Sequence, residues 1–331
     1  MDVFWQKPFG ALRAPFESFV VFPSTFHVFF LAVTFLFCVA IYALRARRPF
    51  HLTAMRRFIL PRRVFLHRSA KLDYQYYPLM VMLRAGMLGS MVVSSGAMAG
   101  VVSYSLQSLF GAQPPLTAPH WLLIVIVTVL QVVMFDLGYW TAHRIMHRIP
   151  LLWEFHKTHH AAEVLTPMTS ARSHPVDDLI QTNFVATSLG LGYGLLVYAF
   201  GEPAQPLSLL DTNVIFFIYF ITLFHLRHSH VWLPIKGWLG YIIQSPAHHH
   251  IHHSTNPRHH GKNLGFCLSL WDWIFGTLYI PDKREAIAFG LGEESAEFAT
   301  LKDLFLRPFQ KVAQRALDLK AAPIADAEQN R

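Results

Sequence analysis

Five apolar stretches set the terms for this chain. They run over about 27–44, 79–106, 121–140, 179–200 and 207–226, each close to the ~20 residues that carry a helix across hydrocarbon. In lipid every backbone N–H and C=O has to be satisfied within the spanning structure, and helices do this segment by segment. Only 15% of the residues are charged and 53% are hydrophobic, against roughly 25% charged in soluble domains. The sequence therefore predicts an all-α integral membrane protein with about four to five transmembrane helices. Its 331 residues are enough for two soluble domains, but the hydrophobicity points to one membrane-embedded unit. The stretch 79–106 is long and carries Gly86, Gly89, Gly96 and Gly100. It reads as one tilted helix or as two that fold back. Two cysteines, Cys38 and Cys267, are too few for a disulfide framework or a thiolate zinc site.

The formal charge of +8 is locally concentrated. Arg45, Arg47, Arg48, Arg56, Arg57, Arg62, Arg63, Arg68 and Lys71 follow the first apolar stretch. Such a cluster can mark nucleic-acid binding, but beside a membrane span the simpler reading is a cytoplasmic, lipid-facing loop. No nucleic-acid partner is expected, and no signal peptide is evident, because the first apolar run begins deep in the chain. With that loop inside and the stretch 79–106 crossing once, the N-terminus lies outside and 141–178 is cytoplasmic. The fifth stretch then ends on the cytoplasmic side at His225 and His228.

That orientation places every histidine group on one face. Sixteen of the twenty histidines lie between His143 and His260. His143 and His147 are four apart; His156, His159 and His160 form an H-x-x-H-H box, and His249, His252 and His253 form another. Residues at i, i+3 and i+4 share a helix face, so each box aims three imidazoles at one spot, and imidazole is the commonest metal ligand at neutral pH. With His228 the set numbers nine, too many for one ion and suited to two, each with an open position. Nitrogen-rich ligation suits iron, copper, zinc or nickel, and spacing does not separate them. His27, His51, His67 and His120 read as ordinary core or interface residues. Asp136 lies within about 20° of the helical line through His143 and His147; it is expected to accept an imidazole N–H and fix its tautomer. Pro150 should end the helix bearing His143, Pro175 should open the next one, and Ser245-Pro246 should cap and open the helix of the second box. A further amphipathic helix is expected over 295–320, with a solvated tail from about Ala321.

At these residues a resemblance becomes specific. The run from Asp136 through His143, His147, Pro150 and His156 to His159-His160 resembles the fatty acid hydroxylase superfamily in its sterol desaturase branch. Arg172-Ser-His174-Pro175 matches that family's R-x-H-P element, and Ser245-Pro246-Ala-His-His249-His-Ile-His252-His253 its second box. Asn263-Leu-Gly265 and Leu270-Trp271-Asp272-Trp273-Ile-Phe275-Gly276-Thr277 resemble its closing elements. The likeness covers about 120–281. Leu264 stands where tyrosine is usual and His230 where many relatives have asparagine, which blurs inference about the substrate.

The resemblance implies a di-iron membrane enzyme that uses O₂ and two electrons to hydroxylate or desaturate an unactivated C–H of a membrane lipid. The implied ligands are His143, His147, His156, His159, His160, His228, His249, His252 and His253, with His174, His225 and His260 as second-tier candidates. Asp136 and Arg172 are the candidate catalytic side chains outside that set. Arg172 is expected to orient an anionic head group or to pair with Asp272; Trp271, Trp273 and Phe275 to pack or to form an interfacial belt. No haem or flavin motif appears, so electrons are expected from a separate ferredoxin, cytochrome or reductase. The expected division is an N-terminal span and basic loop over 1–75, a catalytic membrane domain over 76–281 with its histidine cap in the cytoplasm, and an amphipathic helix with a polar tail over 282–331. A metal transporter would put ligands midway through the spans, and a zinc hydrolase would want a glutamate inside a histidine box; neither feature is present. The lipid itself, whether sterol, hopanoid, carotenoid, fatty acyl or aminolipid, is not written in these motifs.

Overall fold

The computed structural model describes residues 13–20, 24–45, 51–86, 91–201 and 204–321, without the side chains of 319–321. Arg47, Arg48 and the expected tail beyond Ala321 lie outside the described residues. The principal helices are α1 (Val28–Arg45), α2 (Arg68–Gly86), α3 (Ser95–Phe110), α4 (His120–Arg148), α5 (Pro150–His160), α6 (Pro175–Phe200), α7 (Val214–Arg227), α8 (Pro246–His252) and α9 (Leu301–Ala321). Three of them, α1, α4 and α6, are long and apolar enough to cross a membrane.

Helix α6 is the centre of the apolar bundle, and glycine lets its neighbours close on it. A Cβ on Gly138 of α4 would lie 2.6 Å from the Cα of Val185 on α6, and one on Gly190 would lie 2.5 Å from the Cβ of Met98 on α3. Gly194 meets Val102 in the same way, one turn further along both helices. This is small-residue packing, in which backbones approach because no side chain intervenes. Contacts advance together along α3 and α6, so these two run parallel. On α4 they run the other way: Gly138 meets Phe184, and the Ser188 hydroxyl donates to the carbonyl of Met134 at 2.7 Å.

Two of the five apolar stretches differ from a simple span. Over 79–106 the chain makes two helices, α2 and α3, with Ser94 capping the second through the N–H of Ala97. Helix α2 buries Asp73, Tyr76 and Tyr77 under the histidine cap, so only α3 runs along the bundle. Over 207–226 a two-strand hairpin, β1 (Ser208–Leu209) with β2 (Thr212–Asn213), precedes α7. Its turn residues Leu210 and Asp211 have φ of 48° and 57°, the geometry of a tight hairpin. Hydropathy registers these residues as apolar and misses the turn. Asn213 then caps α7, accepting from the Ile215 N–H and donating to the Thr128 carbonyl. The remaining helix is too short to cross hydrocarbon, and Phe220–Phe224 within it is a π-helical turn.

The proline signals act as the sequence indicates. Helix α4 stops at Arg148, α5 begins on Pro150, and Pro175 and Pro246 occupy first helical turns. Ser245 accepts from the His248 N–H while His248 accepts from the Ser245 N–H, a reciprocal capping box. Helix α9 lies across α5 and α2, with Phe298 and Leu304 packed on Tyr76 and Met80. Helix α2 runs through the expected boundary at 75. Both flanks of α1 touch the histidine-bearing end: the Thr25 carbonyl accepts from His225 at 2.8 Å, and Arg45 donates to the Trp232 carbonyl at 2.8 Å.

Candidate metal centre

Nine imidazoles come together where α4, α5, α7 and α8 meet. His143, His147, His156, His160 and His252 form one group; His159, His228, His249 and His253 form a second, and within each group one nitrogen per ring lies within 4.8 Å of the others. Each H-x-x-H-H box is divided between the groups. His156 and His160 go one way and His159 the other; His252 goes one way and His249 and His253 the other. The two groups therefore share helices α5 and α8 and are held at fixed separation by them.

The tautomers are set from behind. His143 donates through Nδ1 to the Leu264 carbonyl at 2.7 Å, and His252 to the Lys262 carbonyl at 3.0 Å. His159 donates to the Arg172 carbonyl at 3.2 Å, and His156 to the Asp177 carboxylate at 2.8 Å. A ring that spends its one proton on Nδ1 presents a lone pair at Nε2. The Nε2 atoms of His143 and His156 then stand 3.1 Å apart with no proton to share between them. Two lone pairs at that distance repel unless a cation lies against both. The Nε2 atoms of His147, His160 and His252 are likewise buried without a hydrogen-bond partner. This donor set fits a metal ion of the imidazole-preferring kind.

The site favours neutral rings. Burial first, and then the neighbouring His156, pushes His159 down to about 3 and His252 down to about 3. Burial is also the leading cause holding His160, His228, His249 and His253 well below the ordinary imidazole value. A neutral ring is the form that binds metal. Five-membered though it is, the first group is reachable: His147, His160 and His252 face a cavity of about 510 Å³, rimmed by Arg144, Lys157 and His260.

Asp136 does not touch an imidazole. Its carboxylate accepts the backbone N–H groups of Phe266, Cys267 and Leu268 at 3.1, 2.7 and 2.9 Å. Asp272 accepts from Leu264, Gly265, Trp140, Gln244 and Thr277. Together they fix loop 263–268, whose Leu264 carbonyl orients His143, so Asp136 acts on the centre one step removed from the expected place. Arg172 does not pair with Asp272. Its guanidinium meets Asp73 at 3.0 Å, fully buried, and its own carbonyl orients His159. The pairing follows from α2 lying under the cap, which the sequence pattern did not indicate.

The second-tier histidines stay outside both groups. His174 accepts from the Val176 N–H and donates to the Phe305 carbonyl, His225 bonds to Thr25, and His260 lies on the cavity rim. Trp140 stacks on Phe275 at 4.5 Å, and Trp271 donates to the Val133 carbonyl; of the closing aromatics Trp273 and Phe275 are exposed. His230, the departure from the common asparagine, donates to the Phe58 carbonyl at 2.5 Å. Asp177, the only carboxylate bonded to one of the nine rings among the described residues, was legible only as a helix-start acid. Arg227 was missed. It is 2% exposed, donates to the Phe266 carbonyl at 2.6 Å, and makes no ion pair among the described residues.

The family model described as fatty acid hydroxylase matches residues 128–277. Alkylglycerol monooxygenase of Homo sapiens is 29% identical over 171 residues, 51% of this chain and 34% of that protein. An ornithine lipid hydroxylase of Rhizobium tropici is 30% identical over 185 residues, 55% of this chain and 51% of that protein. A Delta(7)-sterol 5(6)-desaturase of Gibberella zeae is 28% identical over 152 residues, 46% and 42% of the two chains. The matches to alkylglycerol monooxygenases span about a third of those proteins' length. No solved structure matches the chain. The matched segment holds both histidine boxes, the R-x-H-P element and the closing loop, and on that ground residues 128–277 of this chain are a domain of the fatty acid hydroxylase superfamily.

Proposed function

We propose that this protein is an O₂-dependent di-iron oxidoreductase that hydroxylates or desaturates an unactivated C–H of a membrane lipid. The observation that carries the reading is the division of nine imidazoles, most of them buried, into groups of five and four built on shared helices. The relatives named as lipid hydroxylase, monooxygenase and sterol desaturase point the same way. In this reading all nine imidazoles are ligands. Residues 76–281 form the catalytic membrane domain, flanked by 1–75 and 282–331, and the histidine cap faces the cytoplasm, where a separate ferredoxin, cytochrome or reductase reaches it.

Two bound irons would supply the O₂-dependent oxidation of the C–H, with electrons delivered from outside. The chain's own residues do the rest. Leu264, Lys262, Arg172 and Asp177 hold the protons at Nδ1 of four rings, so that the inward nitrogens remain basic. Asp136 and Asp272 keep the Leu264 carbonyl in place, and Arg172, locked by Asp73, does the same for its own carbonyl. The apolar faces of α4 and α6 exclude water from the approach to the centre and leave a lipid chain as the compatible guest.

Metal analysis of the purified protein tests this reading. About two irons per chain are expected, and His159→Ala or His252→Ala should lose the metal of its own group, and activity with it, while the protein still inserts in membranes. One zinc per chain, or full activity in either variant, would overturn it.

A further inference from the structure

Beside the centre lies a second cavity, of about 440 Å³, between α4 and α6. That is within the range of small-molecule sites. Its walls are mainly apolar, from Val92, Phe135, Leu179 and Val185. Arg84 and Asp178 line it too, but they satisfy each other at 2.7 Å. Tyr139 and Gln181 also line it, and both lie close to the metal centre along their helices. Tyr139 is one turn from His143, their rings 5.4 Å apart, and Gln181 is one turn from Asp177, which holds His156.

Tyr139 and Gln181 offer donors in excess. Gln181 and the Arg227 guanidinium both bear on the Tyr139 hydroxyl, yet neither the buried Gln181 Nε2 nor the buried Arg227 Nε completes a well-formed hydrogen bond; two N–H donors crowd one hydroxyl oxygen, and the Tyr139 O–H is left to donate elsewhere. A buried donor left unpaired costs free energy, so the guest that suits this lining carries an acceptor there. A plain hydrocarbon leaves these donors unmet. A guest that only donates competes with them.

We infer that the α4–α6 cavity takes a lipid chain bearing an acceptor oxygen, an ether, ester or carboxylate, which Gln181 and Tyr139 bind, and that this contact sets which stretch of the chain lies against the centre. The inference rests on the lipid-oxidising reading only for the class of guest.

The test is equilibrium binding to the full-length protein in nanodiscs, without reductant, so that it does not depend on turnover. Four probes of equal chain length are compared: an alkylglycerol ether, a monoacylglycerol, a fatty acid and an n-alkane. At least one oxygen-bearing probe should bind about tenfold tighter than the alkane, and which one it is separates ether, ester and carboxylate. Gln181→Leu should bring that probe to within about twofold of the alkane, and Val185→Trp, which fills the cavity, should weaken all four. Metal content equal to wild type in both variants confirms that each is folded. Equal binding of alkane and oxygen-bearing probes, unchanged discrimination in a metal-loaded Gln181→Leu, or undiminished binding in a metal-loaded Val185→Trp would each overturn the proposal. Absence of iron with discrimination intact would instead sink the oxygenase reading and leave this one standing.

Discussion

The Nδ1–H of His143 donates to the carbonyl of Leu264 at 2.7 Å, across 121 positions of sequence. The acceptor belongs to a loop that is not helical and is held by two buried carboxylates. One end of the centre thus depends on groups that never approach it.

Asp136→Ala should expose that dependence. Three N–H groups, that of Cys267 buried and those of Phe266 and Leu268 partly so, lose their acceptor, at a cost of about 3 kcal/mol. The melting temperature should fall, and metal bound by the group containing His143 should leave more readily than metal bound by the group containing His249. Selective loss is read by metal analysis after graded chelation; equal loss from both groups would refute the link.

The two groups should empty separately. His147→Ala touches only the first and His249→Ala only the second. Each variant is expected to retain about one ion where the wild type holds about two. Complete loss in both would mean that the ions bind as one inseparable unit.

Arg172 and Asp73 form a pair that is 1% and 0% exposed. Removing one partner strands a buried charge, at about 3–5 kcal/mol, whereas replacing both by apolar residues of similar size is often close to neutral. Arg172→Met should therefore be far less stable than the double variant Arg172→Met, Asp73→Leu, as measured by thermal melting.

His248 offers a pH test away from the inward nitrogens. Burial pushes it down to about 4, and its neutral ring accepts the Ser245 N–H at 3.1 Å. The unfolded chain takes up this proton near pH 6.5, the folded one only near 4. The contribution is complete above pH 6.5 and is lost as pH falls toward 4, amounting to about 3 kcal/mol. His248→Gln keeps a capping-box acceptor without titrating, so melting of the metal-stripped variant should depend less steeply on pH over that interval than wild type.

What was legible in the sequence was local. The helices that carry the boxes were legible because the prolines at 150, 175 and 246 act within a turn or two, but each box was expected to aim three rings at one spot and instead divides them between two groups, because i+3 and i+4 lie about 100° apart around the axis. Asp136 was recognisable as out of place in an apolar stretch and Arg172 through its R-x-H-P element, but their partners lie 131 and 99 positions away. No periodicity carries that information. The stretch 207–226 was read as one long helix because hydropathy averages over residues, and Leu210 and Asp211 adopt a turn through φ values that composition does not encode. The burial of α2 under the cap, and with it the pairing of Asp73, follows from packing alone.

The π-helical turn at Phe220–Phe224 holds one residue more than an α-helical turn would. Everything after it, including Arg227 and His228, is set about 100° less far round the axis than an uninterrupted helix would set it. Were the same residues wound as a plain α-helix, His228 would swing away from His159 and His249, whereas deleting one residue from the turn would restore α-helical winding with His228 left in place. The phase of the four-ring group is thus kept by the way a stretch that bears no ligand at all absorbs a surplus residue.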